Sequence, residues 1–186
     1  MRWRARLSAI MLAVACFVAP ASAPASTLDE ALETVVKATF IHRFASFISW
    51  PEGHFHSPGQ SLILCVAGRD PFGDVLDQAV TGERAAGRII EVRRFDRARR
   101  GTQCDIMYIG EAQGQTVSRS LQLLAGEPVL TITDQSASPV RGVIHFETVG
   151  NRVRFHIDEN RASRAGLTVN SRLLSLALSV RRREAG

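Results

Sequence analysis

The stretch Lys37-Ala-Thr-Phe-Ile-His-Arg-Phe-Ala-Ser-Phe-Ile-Ser-Trp-Pro51 decides how this chain is read. Phe40, Phe44 and Phe47–Ile48 recur at three- and four-residue steps, the period of one helix face, and they continue Leu28, Leu32, Val35 and Val36. Trp50 and Pro51 end the pattern, because a residue before proline is pushed out of the α region. The expected element is a helix opened by a capping box, Thr27 with Glu30, and running to Ile48. A stripe this rich in Phe is expected to be buried against a sheet, a second helix or a partner. Core packing is the ordinary outcome; a docking or dimer surface built on Phe40, Phe44, Phe47 and Trp50 is the other.

What precedes the stretch reads as an export signal. Arg2, Arg4 and Arg6 form a basic region, Leu7 to Val18 an apolar run, and Pro20-Ala-Ser-Ala-Pro-Ala25 a small-residue cleavage region. The apolar run is short for a membrane span. Ala13-Val-Ala-Cys16 loosely matches a lipoprotein processing site, but Ala13 stands where leucine is usual and apolar residues continue past the cysteine. The expectation is therefore a signal over 1–25, a single domain over 26–186, and a soluble, exported product.

Composition agrees with that division. Three of the 23 basic residues and none of the 18 acidic ones lie in the signal, so the remainder carries a net charge near +2 instead of +5. The basic character is thus no nucleic-acid footprint. About 160 residues can bury one sizeable core. Cys16 leaves with the signal, and Cys65 and Cys104 remain, an even pair in a compartment that permits disulfides. A bridge would close a loop of about 40 residues and add on the order of 3–4 kcal/mol in the chain-entropy model; two buried free thiols are the alternative.

Beyond Pro51 the pattern alternates. A loop carrying His54 and His56 leads to a strand at Leu62–Ala67, and Gly68–Gly73 turns into a short helix from Asp74 to Val80. Strands follow at Arg88–Arg93, Asp105–Ile109 and Val129–Thr133, with a basic loop over Arg94–Gly101 and an amphipathic helix over Thr116–Ala125. Gly142–Glu147 and Arg152–Ile157 flank a turn at Val149-Gly-Asn151, a hairpin signal. A short helix at Glu159–Ala165 and a final amphipathic helix at Ser171–Val180 complete the chain. The expected class is α/β: a mixed, mostly parallel sheet covered by helices on both faces, with a C-terminal β-hairpin and helix.

Catalytic signatures are missing. The Gly68–Gly73 loop follows a strand and opens a helix, but Asp74-Val75 replaces the Lys-Ser/Thr of a phosphate-binding loop, and turn punctuation explains it better. There is no Gly-x-Ser-x-Gly, no Cys-His arrangement beyond the cysteine pair, and the five histidines show no zinc spacing. No cofactor or metal is expected. The constellation that stands out is Arg152, Arg154 and His156, which strand alternation puts on one face opposite Val153, Phe155 and Ile157, with Arg164 shortly after. Guanidinium forks in a row suit a carboxylate or phosphate. The bland alternative is a solvated sheet face paired with acids such as Glu147.

Read together, Val36–Pro51, Leu64–Gly73, Gly87–Val92, Val129–Asp134 and Asn151–Ile157 leading to Arg164-Ala-Gly-Leu167 resemble the YfiR family of periplasmic regulators, in the right order along nearly the whole mature chain. His42 and Arg43 depart from the Tyr-Asn usual at that point of the helix, and the second cysteine pair of some members has no counterpart. The resemblance implies a non-catalytic repressor that binds the periplasmic sensory domain of an inner-membrane diguanylate cyclase. Binding would hold the cyclase inactive, lowering cyclic di-GMP and biofilm formation. It also implies small anionic or aromatic ligands near Arg154 and His156, and it leaves room for a homodimer. The competing class is a periplasmic small-anion-binding module that works with another receptor or a sensor kinase; nucleic acid is not an expected partner.

Overall fold

The computed structural model describes residues 25–182, so the export signal lies outside the described residues except for Ala25. Five α-helices run over Ala25–Phe44 (α1), Asp74–Val80 (α2), Val117–Leu123 (α3), Glu159–Arg164 (α4) and Ser171–Leu176 (α5). Ten strands run over Ile48–Ser49 (β1), Leu62–Ala67 (β2), Arg84–Ala85 (β3), Arg88–Phe95 (β4), Ile106–Ile109 (β5), Leu130–Asp134 (β6), Ile144–Val149 (β7), Arg152–Asp158 (β8), Thr168–Val169 (β9) and Ser179–Arg181 (β10). Eight of them form one sheet in the order β10-β8-β7-β6-β5-β2-β4-β3. Strands β4, β2, β5, β6 and β7 are mutually parallel, β8 returns antiparallel to β7, and β10 lies parallel to β8. This is the mixed, mostly parallel α/β sheet that the alternation predicts.

Side-chain period explains the two layers. On one face Leu62, Leu64, Val66, Ile106, Tyr108, Leu130, Ile132, Ile144, Phe146, Phe155 and Ile157 form the larger core with α1, α2 and Leu173 of α5. On the other, Ile63, Cys65, Ala67, Met107 and Ile109 meet Val117, Leu121 and Leu124 around α3. Strand β2 is buried along its whole length because both faces are covered. The Cys65–Cys104 disulfide crosses this second layer.

Three expectations about the ends of elements are corrected. Helix α1 stops at Phe44, not Ile48; Ala45–Phe47 tightens into a 3₁₀ turn, and Ile48–Ser49 pairs with β9 instead. The tertiary ladder, reinforced by Asn170 N–H donating to the Phe47 carbonyl at 2.8 Å, wins before Pro51 can act. Trp50 therefore lies outside the helix. At the other end, the backbone is already helical at Ala25, so Thr27 sits within the helix and not at its cap. The apolar stripe is also shorter than its periodicity suggests: Leu32 and Val35 are 63% and 47% exposed, while the buried side runs through Lys37, Ala38, Ile41, His42 and Phe44. Lys37 reaches both Asp134 and Glu33 at 2.5 Å, so a buried charge is neutralised where apolar residues were expected.

The last helix is corrected as well. It ends at Leu176, and Ser179–Arg181 is the edge strand β10. The Leu178 amide donates to the Phe155 carbonyl at 2.7 Å, which draws the segment onto β8. The hairpin turn needs positive φ at both central residues of its two-residue loop; Gly150 (φ 52) and Asn151 (φ 58) supply it.

Candidate functional site

Phe44 belongs to the core, and Phe40, Phe47 and Trp50, each partly buried, pack against it. Phe44 is buried and packs on Phe146 and Phe155 with ring centroids 5.8 and 5.0 Å away; Phe40 joins the same cluster at 6.5 and 6.0 Å. Trp50 stacks on His54 and meets Phe55 edge-on, anchoring the loop after it. The His54 ring in turn reaches the buried Asp105 carboxylate at 2.5 Å.

The polar face of β7 and β8 is different. Val153, Phe155 and Ile157 enter the larger core, so alternation turns Arg152, Arg154, His156 and Asp158 to the opposite side. Helix α3 packs on β2 and β5, and beside β7 and β8 a cleft of about 260 Å³ opens, lined by Arg141, Gly142, His145, His156, Ile157, Asp158, Arg161, Ser179 and Arg181. Its floor is built from buried polar groups. His145 and His156 face one another across the ladder, with ring centroids 6.2 Å apart.

The hydrogen bonds fix the state of His145. Thr133 Oγ1 accepts the Gly142 N–H at 2.8 Å, so its own proton is free to go to His145 Nδ1, also at 2.8 Å. That leaves Nε2–H to donate to Gln135 Oε1 at 3.1 Å, the neutral tautomer with both nitrogens satisfied. Burial pushes its pKa down to about 4, and the charges of Arg141 and His156 push the same way. His156 donates from Nε2 to the Glu147 carboxylate at 2.5 Å, and this bond holds Glu147 below the usual carboxylate range. Its Nδ1 meets the Ser179 hydroxyl at 2.6 Å; a hydroxyl can donate or accept, so it serves either protonation state of the ring.

Charge on the wall is unbalanced. Asp158 caps α4 by accepting the Arg161 N–H at 2.9 Å, and its second oxygen lies 3.7 Å from Arg161 Nε and 3.8 Å from Arg181 Nη1. One carboxylate thus stands between two guanidinia, with Arg141 as a third on the rim. An anion entering the cleft would meet surplus positive charge on a floor that is already hydrogen-bonded.

Of the residues singled out from sequence, His156 lines this cleft. Arg154 follows on the same strand face, opposite Glu147 in register, and Arg152 lies exposed beside the hairpin turn. Arg164 does not join them: it lines a neighbouring apolar cleft of about 290 Å³ with Leu121, Leu124 and Val143. Arg161 lines both clefts and was overlooked, as were Arg141, His145, Ser179 and Arg181. His145 was legible, because a turn centred on Gly150-Asn151 registers it against His156. Arg181 was not, because reading Ser171–Val180 as one helix carries it away from the sheet.

A family model, YfiR/HmsC-like, matches residues 34–178, from the middle of α1 through the hairpin to the approach of β10. The chain belongs to the YfiR/HmsC-like family. The family is one of periplasmic regulators, and its match takes in the disulfide, the hairpin and both histidines of the cleft. Ser179 and Arg181, which complete the cleft, lie just past the matched span. Among the described residues, no helix is long and apolar enough to cross a membrane.

Proposed function

We propose that the protein is an exported, single-domain periplasmic repressor that binds the periplasmic domain of an inner-membrane diguanylate cyclase and holds it inactive. Cleavage of a signal over residues 1–25 releases the domain. The contact is made through the face that carries Arg152, Arg154 and His156 together with the cleft wall of Arg141, Arg161 and Arg181. The observation that carries this reading is the surplus of guanidinium over carboxylate around Asp158 in a member of a regulator family. It fits an acidic side chain or another carboxylate on the partner. The site's own acids and bases are engaged in holding its shape: Glu147 by His156, Asp158 by the α4 cap, and both nitrogens of His145. That arrangement supports recognition over catalysis.

Co-purification tests it. Tagged mature protein is expected to retain from its own membranes a protein with a periplasmic segment and a cytoplasmic cyclase domain, and Arg161→Ala/Arg181→Ala is expected to release it. Retention of a membrane protein with a kinase output instead would favour the small-anion-binding reading, which rests on the same cleft. Sedimentation of the same preparation would report whether a homodimer forms.

A further inference from the structure

The sheet contains a second place where a ligand is expected on topological grounds. The chain leaves β2 for β4 on one side and returns to β5 on the other, so β2 and β5 flank a switch point. The helices that follow them, α2 and α3, pack on opposite faces. In open α/β sheets a crevice forms at the carboxyl ends of such strands and receives ligands. Here the two loops are zipped together at the base of that crevice. The Arg69 amide donates to the Glu111 carbonyl at 2.6 Å. A Cβ on Gly68 would lie 2.5 Å from the Glu111 oxygen, and one on Gly110 would lie 2.2 Å from the Arg69 oxygen, so only glycine fits at either position. The opening is displaced toward the end of β4, as a polar hollow of about 550 Å³ lined by Gly68, Arg69, Asp96, Arg97, Arg99 and Glu111.

The cations of this hollow differ from their neighbours in what they do. Arg94 is consumed by Asp70 and Asp77, and Arg100 by the Leu123 and Ala125 carbonyls. Among the described residues, the Arg69, Arg97 and Arg99 side chains make no hydrogen bond or ion pair, although Asp96 and Glu111 line the same hollow. Three uncommitted guanidinia match a phosphate, whose oxygens accept their paired donors. The two carboxylates add acceptors for an ammonium or hydroxyl beside it.

We propose that this hollow binds a phosphate group carrying a neighbouring hydrogen-bond donor, as in phosphoethanolamine. It is separate from the cleft around His156 and does not rest on the repressor reading. The same chemistry occurs in a free phosphorylated metabolite and in a phospholipid headgroup. Titration of the mature protein with phosphoethanolamine by calorimetry, and co-sedimentation with phosphatidylethanolamine–phosphatidylglycerol vesicles, separate the two. Saturable binding of the free compound marks a soluble ligand; binding to vesicles alone marks a headgroup. In either arm Arg97→Ala/Arg99→Ala, on an exposed loop, is expected to weaken binding by about tenfold or more, since each charge-assisted contact contributes about that factor. Arg172→Ala, which lines neither this hollow nor the His156 cleft, is expected to leave it unchanged. The proposal is overturned if the wild-type protein binds neither probe, or if the Arg97/Arg99 variant binds as the wild type does.

Discussion

His145 makes the stability of this protein depend on pH, and the size of the effect follows from its surroundings. The ring is 1% exposed, and its pKa is lowered to about 4 from the ordinary 6.5, burial being the largest cause and Arg141 and His156 adding to it. Asp134 and Glu147 oppose the shift and do not reverse it. The unfolded chain therefore takes up this proton first. Stability is complete above the unfolded value, falls as pH drops through 6.5, and stops falling below the folded value near 4. Proton linkage puts the loss between pH 7.5 and 5 at about 2 kcal/mol, and the full loss at about 3 kcal/mol. The perturbation is His145→Asn, which does not titrate and can still accept the Thr133 hydroxyl. Urea unfolding of both proteins at the two pH values isolates the residue, because His42, whose pKa burial also lowers, and Glu147 contribute to both. The wild type is expected to lose about 2 kcal/mol more than the variant on acidification. Equal losses would refute the neutral, buried assignment of His145.

Three further outcomes follow from the fold. Replacing Cys65 and Cys104 together with Ala should lower unfolding free energy by about 4 kcal/mol, the chain-entropy value for a loop of this length, measured by urea titration without reductant. Lys37→Met leaves Asp134 and Glu33 without their buried cation and should cost about 3 kcal/mol, the lower end for a broken buried pair, because Ser136 still donates twice to Asp134. Gly110→Ala should lower the melting temperature steeply or prevent folding, since its Cβ meets backbone at 2.2 Å, whereas Gly59→Ala has open space and should be near neutral in the same scan.

The parts of the fold that were legible in sequence are those set by short-range pattern. The all-apolar Leu62–Ala67 run announced a strand covered on both faces, and Gly150-Asn151 announced the hairpin. Alternation along β8 is enough to separate Arg152, Arg154 and His156 from the apolar core that Val153, Phe155 and Ile157 enter. What failed did so where a distant segment decided the outcome. Ile48 has the helix period yet pairs with Val169, more than a hundred residues away. Ser179–Arg181 continues an amphipathic pattern yet is taken by the free edge of β8. Lys37 breaks the apolar stripe for a reason visible only when Asp134 arrives beside it. The cleft suffered most, because its wall comes from three separate stretches, 141–145, 156–161 and 179–181. Sequence adjacency joined Arg164 to the histidine strand, while space joins Arg161 and Arg181 through Asp158.

The most direct test of the regulatory account is cellular cyclic di-GMP, measured in a strain lacking the protein and in strains complemented with the wild type or with Arg141→Ala/Arg161→Ala/Arg181→Ala. The account predicts that loss of the protein raises cyclic di-GMP, that the wild type restores the low level, and that the cleft variant accumulates as folded protein without restoring it. Cyclic di-GMP that stays the same when the protein is removed would contradict the account.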